Sequence, residues 1–127
     1  MSESTKLPSK PAPPTGSGTV DAEHGVQLGL LEAALAALAD EAASARQLVE
    51  QLSVYTQTHF LSEQLLMRLA ARSNYEGHLD QHELLMQDLD AVGELLERGD
   101  LAGAAARLKA HETQLLEHIR SWDRSVE

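Results

Sequence analysis

Histidines and carboxylates recur along the chain at helical spacing. His59 and Glu63 are four residues apart, and so are His78 and His82, which places each pair on one face of a helix. Imidazole nitrogens suit iron, zinc, copper or nickel, and carboxylates add hard oxygen ligands. Three further candidates complete the set: His24, His118 and Asp123. Five histidines and two carboxylates exceed the four ligands of a structural zinc site and suit two metal ions with bridging carboxylates and an open position.

Four stretches of apolar residues at steps of three or four predict the helices that carry these side chains. The stretches are marked in order by Leu28, Leu31, Leu35 and Leu38; by Leu48, Leu52, Tyr55, Leu66 and Leu69; by Leu85, Leu89, Val92 and Leu96; and by Leu101, Leu108, Leu115 and Trp122. The histidines continue these seams, so we expect them to face the core. Short links between successive helices predict an all-α, up-down-up-down antiparallel four-helix bundle.

Capping residues mark most of the predicted helix ends. Asp21 is a candidate N-cap of the first helix, and Ser73 with Glu76 has the spacing of a capping box for the third. Gly99 followed by Asp100 predicts the end of the third helix and the N-cap of the fourth. The break between the first and second helices, at residues 40–44, is only weakly marked.

The candidate ligands also share one level in such a bundle. Residues on neighbouring antiparallel helices lie at the same height when they are equidistant from the turn between them. Four pairs meet this condition about the three predicted turns: His24 with His59, His59 with His82, Glu63 with His78, and His82 with His118. The sequence therefore predicts a single buried layer of ligands drawn from all four helices.

Composition narrows the class of protein. The chain has 127 residues, which suits one domain, and its lack of cysteine excludes disulfides and thiolate metal sites. With 20 acidic and 10 basic residues, its formal charge is −10, so we expect neither nucleic acid nor a membrane as partner. The lack of a long apolar run and of a secretory leader predicts a soluble, cytoplasmic protein.

The N-terminal segment differs from the remainder of the chain. All four prolines lie among Ser, Thr, Lys and Gly within residues 1–19, a composition that predicts a disordered tail. Residues 20–127 contain no proline, which favours long helices. We therefore assign the bundle to residues 20–127.

The ordered ligand segments resemble the hemerythrin family over residues 20–124. They are Asp21–His24, His59–Glu63, His78–His82 and His118–Asp123. The resemblance implies two iron ions: one held by His78, His82 and His118, the other by His24 and His59, with Glu63, Asp123 and an oxo or hydroxo group as bridges. It also implies reversible O2 binding at the iron that has an open position, for carriage, storage or delivery, without a catalytic residue.

The expected O2 pocket departs from the family pattern. Phe60, Leu115 and Ile119 fit an apolar pocket. Gln114 stands where bacterial members commonly carry Trp, and Gln27 stands where an apolar residue is usual. We therefore expect a wetter, more polar pocket and an oxygenated form that oxidises quickly.

Other functions and metals remain open at this stage. The same centre suits an O2 or redox sensor that acts on an unidentified protein partner, or an enzyme that reduces peroxide or nitric oxide. Zinc and manganese fit the ligand types as well. A sixth histidine, His111, lies two turns before His118, roughly 10 Å along the helix axis, too far to share the same metals. We predict that it is a core or partly exposed histidine.

Overall fold

The computed structural model describes residues 18–41, 43–70 and 75–121, with side chains from residue 21 onward. All regular secondary structure in these ranges is helical: α1 Gly18–Ala39, α2 Ala45–Leu69, α3 Tyr75–Glu97 and α4 Leu101–Ser121. Successive helices pack against each other, and α1 also packs against α4, which closes the bundle. The predicted antiparallel four-helix bundle is therefore confirmed. The predicted tail lies outside the described residues, apart from the first residues of α1.

One continuous apolar core fills the bundle from the α1–α2 and α3–α4 turns toward its middle. Its fully buried members come from every helix and include Leu31, Leu52, Val92 and Leu108. Toward the opposite end, where α2 meets α3, the inward positions change from leucine to histidine and glutamate. A layer of polar residues, turned inward by the same helical periodicity, thus separates this core from a small apolar cluster of Met67 and Tyr75.

The predicted seam of α2 is wrong at its C-terminal end. Leu66 and Leu69 are exposed, whereas Glu63 and Met67 are buried. The inward face of α2 advances by three or four residues from Leu52, and this step reaches Met67 rather than Leu66. As a consequence, the outer surface of α2 exposes leucines that the sequence analysis had assigned to the core.

The turn between α3 and α4 follows the sequence closely. Gly99 has a φ of 77°, the left-handed conformation that glycine adopts without steric penalty. The N–H groups of Gly99 and Asp100 bond the carbonyls of Leu96 and Leu95, as in a Schellman motif. Asp100 Oδ1 accepts a hydrogen bond from the N–H of Gly103 at 2.8 Å, which confirms Asp100 as the N-cap of α4.

The other two predicted caps, at Asp21 and Ser73, are not observed as caps in the described residues. Because α1 begins at Gly18, Asp21 lies inside its first turn and is not the N-cap. Its negative charge there still favours the positive end of the helix dipole. Ser73 and Trp122 lie outside the described residues. Within the described ranges, no helix combines the length and hydropathy needed to cross a lipid bilayer.

Candidate metal centre

Six of the seven predicted ligands come together in one buried layer, which we call the metal layer. Each helix contributes at least one of them, and all are almost fully excluded from solvent: His24, His59, Glu63, His78, His82 and His118. Neighbouring imidazole rings are in contact, with centroids 4.7 Å apart for His24 and His59 and 4.8 Å apart for His78 and His118. The seventh, Asp123, lies outside the described residues.

Glu63 occupies the middle of this layer, and its two carboxylate oxygens face different histidines. Oε2 lies 3.0 Å from His24 Nε2 and 2.8 Å from His59 Nε2. Oε1 lies 3.1 Å from His82 Nε2 and 3.6 Å from His78 Nε2. Two ligands of one metal ion, bound at about 2.1 Å and at right angles, are themselves about 3 Å apart. The carboxylate therefore has oxygens at metal-ligand spacing from two different sets of histidines.

The ligand atoms form two groups that share Glu63. One group holds His24, His59 and Glu63, and the other holds Glu63 with His78, His82 and His118. Within each group the donor atoms lie within 4.8 Å of one another. The two positions thus differ by one imidazole, and the position beside His24 and His59 has the smaller protein ligand set.

Hydrogen bonds behind the rings fix the orientation of two histidines. His59 Nδ1 lies 2.5 Å from Glu23 Oε1, and His82 Nδ1 lies 2.9 Å from Gln64 Oε1. Both oxygens accept, so each Nδ1 donates, and a neutral ring then points the lone pair of Nε2 at Glu63. Two lone pairs at this distance repel each other unless a cation lies between them, so the arrangement fits a bound metal.

The charge states of the layer also suit a cation. Burial acts to raise the pKa of the Glu63 carboxyl, but hydrogen bonding from the surrounding histidines, His24 foremost, outweighs burial and holds the pKa well below its usual range. Burial lowers the pKa of His82 to about 4, against a partial opposing effect of Glu63. At neutral pH the layer thus contains an ionised carboxylate and a neutral His82, the protonation states in which these groups bind metals.

Glu23 and Gln64 contact candidate ligands from behind, and the sequence reasoning missed both. Glu23 directly precedes His24, and Gln64 directly follows Glu63. A metal-bound histidine usually donates its second ring N–H to a carboxylate or carbonyl. A search for such acceptors beside the predicted ligands would have found both residues.

Apolar side chains cover one side of the metal layer. Phe60 is buried and stacks on the His82 ring with a centroid distance of 3.9 Å and an interplanar angle of 3°. Its ring centroid lies 6.0 Å from that of His59 and 6.0 Å from that of His118, so it borders both ion positions. Leu115 and Ile119 of α4 are also fully buried. The structure thus places these three predicted pocket residues inside the core.

Gln27 lies in the next layer and has a partner that the sequence analysis did not identify. Its Nε2 donates to Thr56 Oγ1 at 3.3 Å, and both side chains are fully buried. Gln27 follows His24 by three residues and Thr56 precedes His59 by three, so the two pairs are successive rungs of α1 and α2. Gln27 Oε1 has no hydrogen-bond partner among the described residues. The region beneath His24 and His59 is therefore polar on this side.

Gln114 does not belong to the pocket, contrary to expectation. It is exposed on α4, whereas Leu115 and His118 are buried. Four residues advance an α-helix by about 40° beyond one full turn. His118 lies at the margin of the buried face, whose middle contains Leu108 and Leu115, so the step back to Gln114 leads out of the core.

His111 is fully buried in a second polar cluster on α3 and α4, which we call the His111 layer. Its Nδ1 lies 3.6 Å from Asp88 Oδ2, and Asp88 Oδ1 accepts hydrogen bonds from Arg107 Nε at 3.2 Å and Nη2 at 3.0 Å. Burial lowers the pKa of His111, while Asp88 opposes the effect. In the described part of the chain, neither group of metal-ligand atoms includes His111. It is thus a buried core histidine beside a carboxylate.

Comparison with known proteins agrees with this geometry. Residues 15–126 match the family described as hemerythrin HHE cation binding domain. No curated protein and no solved structure matches the chain significantly. The family match covers most of the chain and includes every residue of the metal layer. This chain therefore belongs to the hemerythrin family.

Proposed function

We propose that the protein holds two iron ions in the metal layer and binds O2 reversibly at the ion beside His24 and His59. The observation that carries the proposal is the position of Glu63, whose two oxygens face separate sets of two and three histidines. A single structural ion would need neither the shared carboxylate nor five imidazoles. Asp123 is proposed as a second bridging ligand.

The difference between the two ligand sets supports a binding site for a small molecule. His78, His82 and His118 would provide three imidazoles to one ion, and His24 and His59 would provide two to the other, which leaves a position for an external ligand. A pair of ferrous ions would supply the electrons with which O2 is held. The surrounding residues orient the ligands and limit access of water.

Each neighbouring side chain has a separate task in this proposal. Glu23 holds the ring of His59, and Gln64 holds the ring of His82, so that both Nε2 atoms stay directed at Glu63. Phe60, Leu115 and Ile119 exclude water from the layer. Glu23 and Gln64 are already hydrogen-bonded to histidine rings, and Phe60, Leu115 and Ile119 have no titratable group, which supports a carrier or store of O2 rather than an enzyme.

The decisive experiment is iron loading of the full chain without air, followed by exposure to O2. We expect two irons per chain and a charge-transfer band that appears with O2 and disappears on deoxygenation. Glu63→Gln should reduce the iron content to one ion or fewer. Glu112→Gln is the matched control, because Glu112 is an equally buried glutamate outside both ligand groups. It should retain two irons.

The outcomes separate the candidate functions. Irreversible oxidation on first contact with O2 would overturn reversible carriage and favour a sensor or an enzyme. Sustained consumption of peroxide or nitric oxide in the presence of a reductant would favour the enzyme. Failure to bind two irons, or tighter binding of zinc or manganese with no response to O2, would overturn the di-iron assignment.

A further inference from the structure

The outer face of α2 exposes a row of apolar side chains, which we call the α2 stripe: Val54, Leu61, Leu65 and Leu69. Leu61 and Leu65 are each 58% exposed, and Leu69 is 76% exposed. Thr58 continues the row between Val54 and Leu61. Single exposed leucines are ordinary, but a row along one helix face marks a contact surface.

The α2 stripe is also free of charge. Between Gln51 and Met67 the acidic and basic residues are His59 and Glu63, and both are buried in the core. By contrast, the outer face of α3 exposes acidic residues along its length, including Asp80, Glu83, Asp90 and Glu94. In a chain with a formal charge of −10, two copies repel each other over most of their surface. The α2 stripe is a face on which this repulsion is weak.

A groove beside the stripe adds room for side chains of a second helix. It is shallow and has a volume of about 500 Å3. It is bordered by Leu30 of α1 and by five residues of α2: Glu50, Gln51, Val54, Tyr55 and Thr58. Its lining is mostly apolar, and it is continuous with the N-terminal end of the stripe. Helices commonly pack by inserting the side-chain ridges of one into the grooves of the other.

The charges at the two ends of the stripe indicate what covers it. Glu50 and Arg68 are 18 residues apart, which is five turns of an α-helix, so both lie on the same edge of α2. Both are exposed, and neither has an ion-pair partner among the described residues. Each lies nine residues from His59. An antiparallel copy of the same helix would therefore set Glu50 opposite Arg68 at both ends.

We propose that the protein forms a two-fold symmetric dimer in which the α2 stripes of two copies pack antiparallel. The axis passes close to the level of residues 59 and 60. This register sets Val54 of one copy beside Leu65 of the second copy and brings Glu50 and Arg68 together at both ends. Such mutual pairing is what an isologous interface requires. Glu50 also borders a groove with Asp90 and Glu94, so the guanidinium of the second copy meets a negative surface.

The size of the stripe sets the expected strength of the dimer. From Val54 to Leu69 the helix rises by roughly 23 Å. One helix face of this length falls short of the ~800 Å2 per partner that stable complexes bury. The dimer should therefore be reversible, with a dissociation constant in the micromolar range.

Sedimentation velocity of the full chain from about 5 to about 500 μM tests the proposal. We expect a concentration-dependent change from one 13.8 kDa chain to two. Leu61→Glu and Leu65→Glu should weaken the dimer more than tenfold, because each buries a charge in the stripe of both copies. Leu84→Glu is the matched control: Leu84 is 55% exposed but lies on α3, away from the stripe. It should leave the dissociation constant unchanged.

A charge exchange tests the register. Glu50→Arg alone should weaken the dimer, as should Arg68→Glu alone, and the two changes together should restore it. A monomer at every concentration would overturn the proposal. So would a dimer that Leu84→Glu disrupts while the α2 variants do not. Failure of the double variant to recover would overturn the antiparallel register.

Discussion

The metal layer and the His111 layer both bury histidine against a carboxylate, but they differ in what compensates the charge. In the His111 layer, Arg107 donates two hydrogen bonds to Asp88, so one guanidinium balances one carboxylate. In the metal layer, Glu63 pairs with four histidines, and no lysine or arginine balances it within the described part of the chain. A buried carboxylate needs a compensating positive charge. The His111 layer contains its own cation, Arg107, whereas the metal layer is suited to receive one.

The two layers also differ in the number of histidines and in the direction in which their ring nitrogens point. One imidazole 3.6 Å from one carboxylate, as at His111 and Asp88, is a single electrostatic contact between one ring and one acid. Five imidazoles in two contacting groups, His24 with His59 and His78 with His82 and His118, exceed what one carboxylate can satisfy. Hydrogen bonds from Glu23 and Gln64 then orient two of the rings so that Nε2 faces the shared centre. Convergence on a common point, rather than burial, distinguishes a ligand layer from a structural pair.

The strongest test of the comparison is removal of the metal. We expect the metal-free protein to unfold at a temperature about 15 °C lower than the iron-loaded protein, because a tightly bound ion stabilises only the folded state. Calorimetry with and without a chelator measures the difference. Iron loading should raise the unfolding temperature of His111→Gln by the same amount as that of the unmodified protein. In Glu63→Gln most of this increase should be lost. A loaded protein that melts at the temperature of the metal-free form would contradict the distinction between the layers.

A second test removes the cation of the His111 layer. Arg107→Ala leaves the mostly buried Asp88 without its guanidinium, and we expect a loss of about 1–2 kcal/mol in the free energy of unfolding, since Arg107 is itself half exposed. Iron content should stay at two. Arg120→Ala, which removes an exposed arginine from the same helix, serves as the control and should change stability by less than about 0.5 kcal/mol. Loss of iron in the Arg107 variant would show that the two layers are coupled.

The pH dependence of stability gives a third test. Burial lowers the pKa of His111, so below the ordinary histidine value of about 6.5 the unfolded chain takes up a proton that the folded chain resists. Stability therefore falls as the pH decreases below that value, by at most about 1.4 kcal/mol per pH unit for this one group. Chemical unfolding of the zinc-loaded protein at pH 7 and pH 5.5 should show a smaller decrease in His111→Gln. Equal slopes would indicate that Asp88 retains the proton on His111.

The smallest expected effect concerns the rung between the two layers. Gln27→Leu replaces the unpartnered amide oxygen beneath His24 and His59 with an apolar group, and should lengthen the lifetime of the oxygenated form several-fold by excluding water. Decay of the O2-dependent absorption band measures this lifetime. Gln114→Leu is the matched control, because the same change on the exposed face should have no effect. If the oxygenated form of Gln27→Leu decays as fast as that of the unmodified protein, the polar side chain of Gln27 does not promote its oxidation.

Much of this architecture was predictable from the sequence because helical periodicity is a local property. The spacing of His59 with Glu63 and of His78 with His82 fixes their common face, and symmetric distances about the turns fix their common level. The errors arose where a side chain lies at the margin of a face. Leu66 and Gln114 each fit a step of three or four, yet both are exposed, because only packing decides how wide the buried face of each helix is.

The sequence by itself determined the four helices, the turn at Gly99 and Asp100, and the inward direction of the histidines, since each follows from residues close together in the chain. Only the tertiary structure decided that the two oxygens of Glu63 face separate sets of histidines. It also decided that Glu23 and Gln64 bond the Nδ1 atoms of His59 and His82, and that Asp88 lies beside His111. These contacts join residues on different helices. Their distances depend on how the helices rotate and pack against one another, and spacing along a single chain does not encode that directly.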